Sequence, residues 1–236
     1  MNHKPYLKEI VILVMCFAWL LFVATNVNIQ LGQTYLQFTA GCLILLIIGV
    51  TIFDKNLHIT FQKQPGGHLK AIMIGFAGWI ALLIASIIAL RFIDPSKANV
   101  ASIIGLLGAT TPALATSKIA NLITFGGAVA FIETQLWARM MEFISDLFGI
   151  QLNRKNLLTI GVITIIGILA FAFLMFHLTA KGITNAPALI IVFIMMAISL
   201  GMVVIFGETR QAVYLHIIAN SVASYLMLFA TSFINI

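Results

Sequence analysis

From residue 10 onward the chain alternates long apolar runs with short polar breaks, and the runs lack the every-second-residue alternation of a membrane barrel. Seven runs have the length of a membrane-crossing helix: 10–27, 35–53, 71–93, 118–143, 157–178, 186–206 and 210–232. A helix rises ~1.5 Å per residue, so about 20 residues cover the ~30 Å of hydrocarbon. The pattern predicts an all-α, polytopic membrane bundle of seven helices. Residues 99–115, NVASIIGLLGATTPALA, are apolar but short and contain Pro112; they can form an eighth crossing, a re-entrant piece or an interfacial helix. The first run continues to Asn26 without a small-residue cleavage site and reads as a retained helix, not a signal peptide.

Composition agrees with the pattern. Hydrophobic residues make up 61% of the 236 positions and charged residues 8%, against about 25% in soluble domains. Such a chain belongs in the membrane. The net charge of +6 gathers on no basic face, so no nucleic-acid partner is expected; the lipid bilayer is. With seven spans, Lys4, Lys8, Lys55, Lys63, Lys70, Arg154, Lys155 and Arg210 fall on one side, and Arg91, Lys97, Lys118 and Lys181 on the other. The positive-inside rule then places the N-terminus in the cytoplasm, and an eighth span would spoil the asymmetry. Cys16 and Cys42 lie in apolar runs and read as small packing residues. His58 and His68 fall in the longest polar connection and read as solvated.

Few polar side chains interrupt the spans. They are Glu133, His177, His216 and Asn220, with Arg139 and Glu142 later on the fourth span, near its expected cytoplasmic end. A charge at mid-bilayer costs about 3 kcal/mol on insertion scales, so each is a candidate site residue. His216 and Asn220, and likewise Phe173 and His177, are four residues apart and share a helix face. A carboxylate, two imidazoles and an amide on three helices can grip a water molecule or a metal ion. Upright helices would leave His177 and His216 at different depths, which requires tilted, short or unwound helices.

These residues occur in three short motifs. GGAVAFIETQLWAR, FLMFH and HIIAN, in that order over residues 118–232, resemble the CPBP family, the CAAX-protease and bacteriocin-processing membrane proteins. That family shows EExxxR on one span, FxxxH on the next and HxxxN near the C-terminus. FxxxH is matched by Phe173 to His177, and HxxxN by His216 to Asn220. The first motif departs: Glu133-Thr134 stands for the Glu pair, Ala138 stands where the Arg is expected, and Arg139 follows one residue later. The resemblance divides the chain into N-terminal membrane helices and loops, 1–117, and a core carrying the site, 118–236.

The resemblance implies an intramembrane endopeptidase acting on a lipidated (CAAX-type), prenylated or membrane-embedded substrate. Glu133, desolvated and hence a stronger base, would activate water; His177 would orient it; His216 and Asn220 would steady the oxyanion. Thr134, Arg139 and Phe173 would support them. Either no cofactor or a zinc ion on Glu133, His177 and His216 is compatible with the set. The missing second acid also leaves open a catalytically silent membrane scaffold or accessory subunit. A proton-relaying transporter is the third reading, without an inverted repeat to support it.

Overall fold

The computed structural model describes residues 67–109, 130–179 and 183–234, with isolated positions at 10, 11, 14 and 127. The expected spans 10–27 and 35–53 therefore lie outside the described residues apart from 10, 11 and 14, and so do residues 110–126, Cys16, Cys42, His58 and the N-terminal orientation. The described chain is helical, with no strand. Its helices are α1 (Gly67–Ile93), α2 (Val100–Ala109), α3 (Ala130–Leu147), α4 (Ile160–Thr179), α5 (Ala186–Phe206) and α6 (Arg210–Ile234). Short 3-10 turns at Pro95–Lys97 and Arg154–Asn156 join them.

Three helices, α1, α4 and α5, are long and apolar enough to cross a membrane. On α1 the exposed residues Ile72, Phe76, Ile80, Ile84, Ile88 and Phe92 recur at every fourth position, while Ala71, Gly75, Gly78, Leu82, Ser86 and Leu90 are buried. A large apolar stripe facing outward, with small residues facing inward, is the arrangement of a helix between lipid and protein. The glycines set the distance. A Cβ at Gly75 would lie 2.7 Å from Tyr214 Cβ and 2.9 Å from the Leu215 backbone nitrogen, so α1 and α6 touch backbone to side chain.

The fourth expected span behaves differently. α3 carries four charged residues and is not apolar enough to qualify as a span, yet Ile132 through Arg139 are all buried. A helix buried on all sides sits inside the bundle. Here the apolar helices sheathe a polar one. Within 99–115, the described part is the ten-residue α2, which rises ~15 Å and is half the length of a crossing.

Sequence places the ends of these elements through local chemistry. Asn185 caps α5 by accepting from Ala188 N at 3.3 Å, and Gly207, at φ 66°, ends it by turning left-handed and bonding Val203 O at 2.8 Å. Gly149, also at φ 66°, ends α3, with Ile150 N bonded to Ser145 O at 2.8 Å. His68 corrects its expected place in a loop: it lies in the first turn of α1, exposed, with Nδ1 2.9 Å from the hydroxyl of Tyr214 on α6. That contact brings the start of α1 to the start of α6. Of the eight basic residues assigned to one side, Lys70 and Arg210 therefore share one end of the bundle. The loop carrying Arg154 and Lys155 joins them, since Gly149 to Asn153 face Val203 and Gly207 across a cleft.

Candidate intramembrane site

Glu133 is the fourth residue of α3, and α3 is antiparallel to α4, so Glu133 and the C-terminal half of α4 occupy the same end of a hairpin. Trp137, one turn beyond Glu133, meets Phe173 edge to face with ring centroids 5.6 Å apart. His177 follows Phe173 by one turn. Its Nδ1–H donates to the Phe173 carbonyl at 2.9 Å, which in a neutral ring leaves Nε2 with the lone pair. Phe173 lies 4.3 Å from the His177 ring and 6.3 Å from the His216 ring, centroid to centroid. Despite the expected depth mismatch between α4 and α6, His177 and His216 both approach the ring of Phe173.

His216 is held from α3 on two sides. Thr134 Oγ1 lies 3.0 Å from Nδ1, and Glu133 Oε2 lies 3.5 Å from Nε2. Glu133, Thr134 and His216 are each 1% exposed. The proton positions follow from valence. Thr134 has one hydroxyl hydrogen, which it donates to Ala130 O at 2.7 Å; toward His216 it therefore accepts, and Nδ1 carries the hydrogen. Nε2 then faces Glu133, and the two groups hold one proton between them or none. Such a pair is equipped to take a proton from a third molecule. Asn220, buried, lies one turn beyond His216 on the same face of α6.

Of the supporting residues, Thr134 and Phe173 are in the site. Arg139 is buried and pairs with Glu142 three residues on, in the second half of α3. It lies six residues, ~9 Å along the axis, from Glu133. Among the described residues no three His, Cys, Asp or Glu side chains are grouped to hold a metal.

Sequence reasoning passed over a second polar group beside this one. Gly207 to Gln211, GETRQ, looks like a charged connection, yet Glu208, Thr209, Arg210 and Gln211 are all buried. Glu208 Oε2 receives Arg210 Nε at 2.8 Å and Nη2 at 2.6 Å, and its other oxygen receives the Gln211 amide. Gln135 Nε2 donates to Thr209 Oγ1 at 2.8 Å, tying this corner to α3. The signal was available in the sequence: Thr209, just before α6, continues the face of His216 and Asn220, and Gln135, Arg139, Glu142 and Asp146 fall on one face of α3.

Comparisons with protein-family models, with curated proteins and with solved structures gave no match, so the CPBP resemblance rests on the three motifs alone.

Proposed function

We propose that this chain is an intramembrane endopeptidase that hydrolyses a peptide bond of a lipidated or membrane-embedded substrate with a water activated by Glu133. The supporting observation is the buried contact of Glu133 Oε2 with His216 Nε2 at 3.5 Å, made between two helices inside an apolar shell. In this reading Glu133 takes a proton from water while the water oxygen bonds to the peptide carbonyl carbon. His216, its Nδ1–H fixed by Thr134, turns its other nitrogen to the same centre and shares the proton. The proton then passes to the departing amine as the C–N bond breaks. A placed base contributes a factor of about 10² to 10⁴ in rate. His177 and Asn220, on either side of the pair, are the groups assigned to the developing oxyanion.

The alternative, a catalytically silent membrane scaffold, is favoured by one feature: the group beside Glu133 that engages His216 is the hydroxyl of Thr134 and not a second carboxylate. One experiment separates the two. Purified protein in lipid is mixed with membrane-tethered peptides, prenylated and unprenylated. Cleavage that is abolished by Glu133→Gln at unchanged folding supports the peptidase. Uncut peptides across the panel, or full activity in Glu133→Gln, would overturn it.

A further inference from the structure

The two polar groups raise the question of how water reaches a carboxylate enclosed by apolar helices. A cleft of about 530 Å³ opens at the end of the bundle where α3 and α5 finish, lined by Glu142, Ser145, Asp146, Gln151, Asn153 and Gly207 among others. From it, two polar lines run inward. One follows the face of α3 from Asp146 and Glu142 through Arg139 to Gln135, spaced at seven, four or three residues as a single helical stripe requires. The other follows the corner from Gly207 through Glu208 to Thr209 and Gln211. They meet where Gln135 bonds Thr209.

Along these two lines, two acceptors are buried without a protein donor: Gln135 Oε1 and Gln211 Oε1. Gln135 is fully buried and Gln211 is 6% exposed. A buried amide oxygen without a partner is destabilising, and ordered water is what most often satisfies such groups. Gln135 stands two residues, ~3 Å along the axis, from Glu133, on the opposite flank of Thr134. We propose that the cleft and this polar stripe form a hydrated groove that holds water on Gln135 Oε1 and Gln211 Oε1 and brings it to the depth of Glu133. As the supply of the hydrolytic water, the groove rests on the peptidase reading; as a hydrated path into the bundle, it rests on the cleft and the two buried amide oxygens.

The experiment measures access, not cleavage. Cys16 and Cys42 are replaced by alanine, and single cysteines are placed by Ser145→Cys at the cleft, Gln135→Cys at the inner end of the stripe and Met196→Cys in the apolar body of α5, where the side chain is buried. Labelling by a small charged methanethiosulfonate in lipid should be fast at 145 and at least ~10-fold faster at 135 than at 196, because thiol labelling follows ionisation and exposure. Equal rates at 135 and 196 would overturn the groove. Should Gln135→Cys not fold, an experimental density map of the unaltered protein decides: ordered water on both glutamine oxygens supports the groove, and protein donors on both refute it. Fast labelling at 135 in a protein that cuts no peptide would keep the groove and remove the peptidase; cleavage without labelling would do the reverse.

Discussion

Thr134 Oγ1 stands 3.0 Å from Nδ1 of His216, and because its only hydrogen is committed to Ala130 O, it fixes which nitrogen of the imidazole is protonated. Thr134 thus orients the histidine without adding charge. Thr134→Val keeps the shape and removes the acceptor, leaving an N–H buried without its partner, at about 1–3 kcal/mol. On the proposed peptidase reading, cleavage should fall at least ~10-fold in Thr134→Val, since 1.4 kcal/mol corresponds to that factor, and remain in Thr134→Ser. Equal rates for the valine and serine variants would show that the ring is oriented by something else.

The corner between α5 and α6 depends on charge that is hidden from solvent. Glu208 neutralises Arg210 through two nitrogens and also binds Gln211, at the N-terminus of α6, where a carboxylate is favoured. Glu208→Gln leaves the guanidinium buried without its counter-charge, and breaking such a pair costs about 3–5 kcal/mol. A lower unfolding midpoint in detergent is expected. Pairing it with Arg210→Met should recover part of the loss, because the stranded charge is then gone. If the single variant melted with the unaltered protein, the corner would not depend on this pair.

How much of this was legible beforehand varies by residue, for physical reasons. The apolar runs gave α1, α4 and α5 because a lipid-facing helix must be apolar, and the rule operates one residue at a time. Glu133, His177, His216 and Asn220 stood out for the same reason reversed. Of the expected span 118–143 the described helix is α3 from residue 130 onward, and by hydropathy it fails, since a helix wrapped by others is released from facing lipid. GETRQ was passed over because burial of a charged turn depends on which helix packs over it. That packing, the Gln135 to Thr209 contact, joins positions 74 residues apart. The approach of Phe173 to His216 is likewise a property of the assembled bundle.

Two glycines on different helices should respond in opposite directions. A methyl group at Gly75 would meet Tyr214 Cβ at 2.7 Å and backbone atoms of α6 at about the same range, with nothing flexible to move aside. Gly75→Ala should therefore separate α1 from α6 and lower stability by about 1–3 kcal/mol, the usual range for overpacking. A methyl group at Gly105 on α2 meets nothing within 4 Å. Gly105→Ala should be neutral or stabilising by up to about 1 kcal/mol, the helix-propensity gain. Thermal unfolding of both variants reads the sign directly, and a stabilised Gly75→Ala would contradict the close helix crossing.

Phe173 is the part of the site that is neither polar nor replaceable by another apolar residue. Its ring meets Trp137 at 5.6 Å, His177 at 4.3 Å and His216 at 6.3 Å, all in edge-to-face or inclined contact, so it joins α3, α4 and α6 at one point. Among the described residues α4 and α6 have little other contact, and the depth difference between their histidines is bridged here. Two substitutions separate packing from ring geometry. Phe173→Ala opens a cavity in a fully buried place and should destabilise by about 3–5 kcal/mol. Phe173→Leu fills most of the volume and should cost less, while losing the three aromatic contacts, each worth about 0.5–1.5 kcal/mol. Peptide cleavage should therefore drop in Phe173→Leu by more than its change in unfolding midpoint accounts for. The Phe173 carbonyl still holds His177 in that variant, so a loss of rate would trace to the spacing of the two imidazoles. A leucine variant as active as the parent would reduce Phe173 to filler, and the alignment of His177 with His216 would then have to come from the backbone.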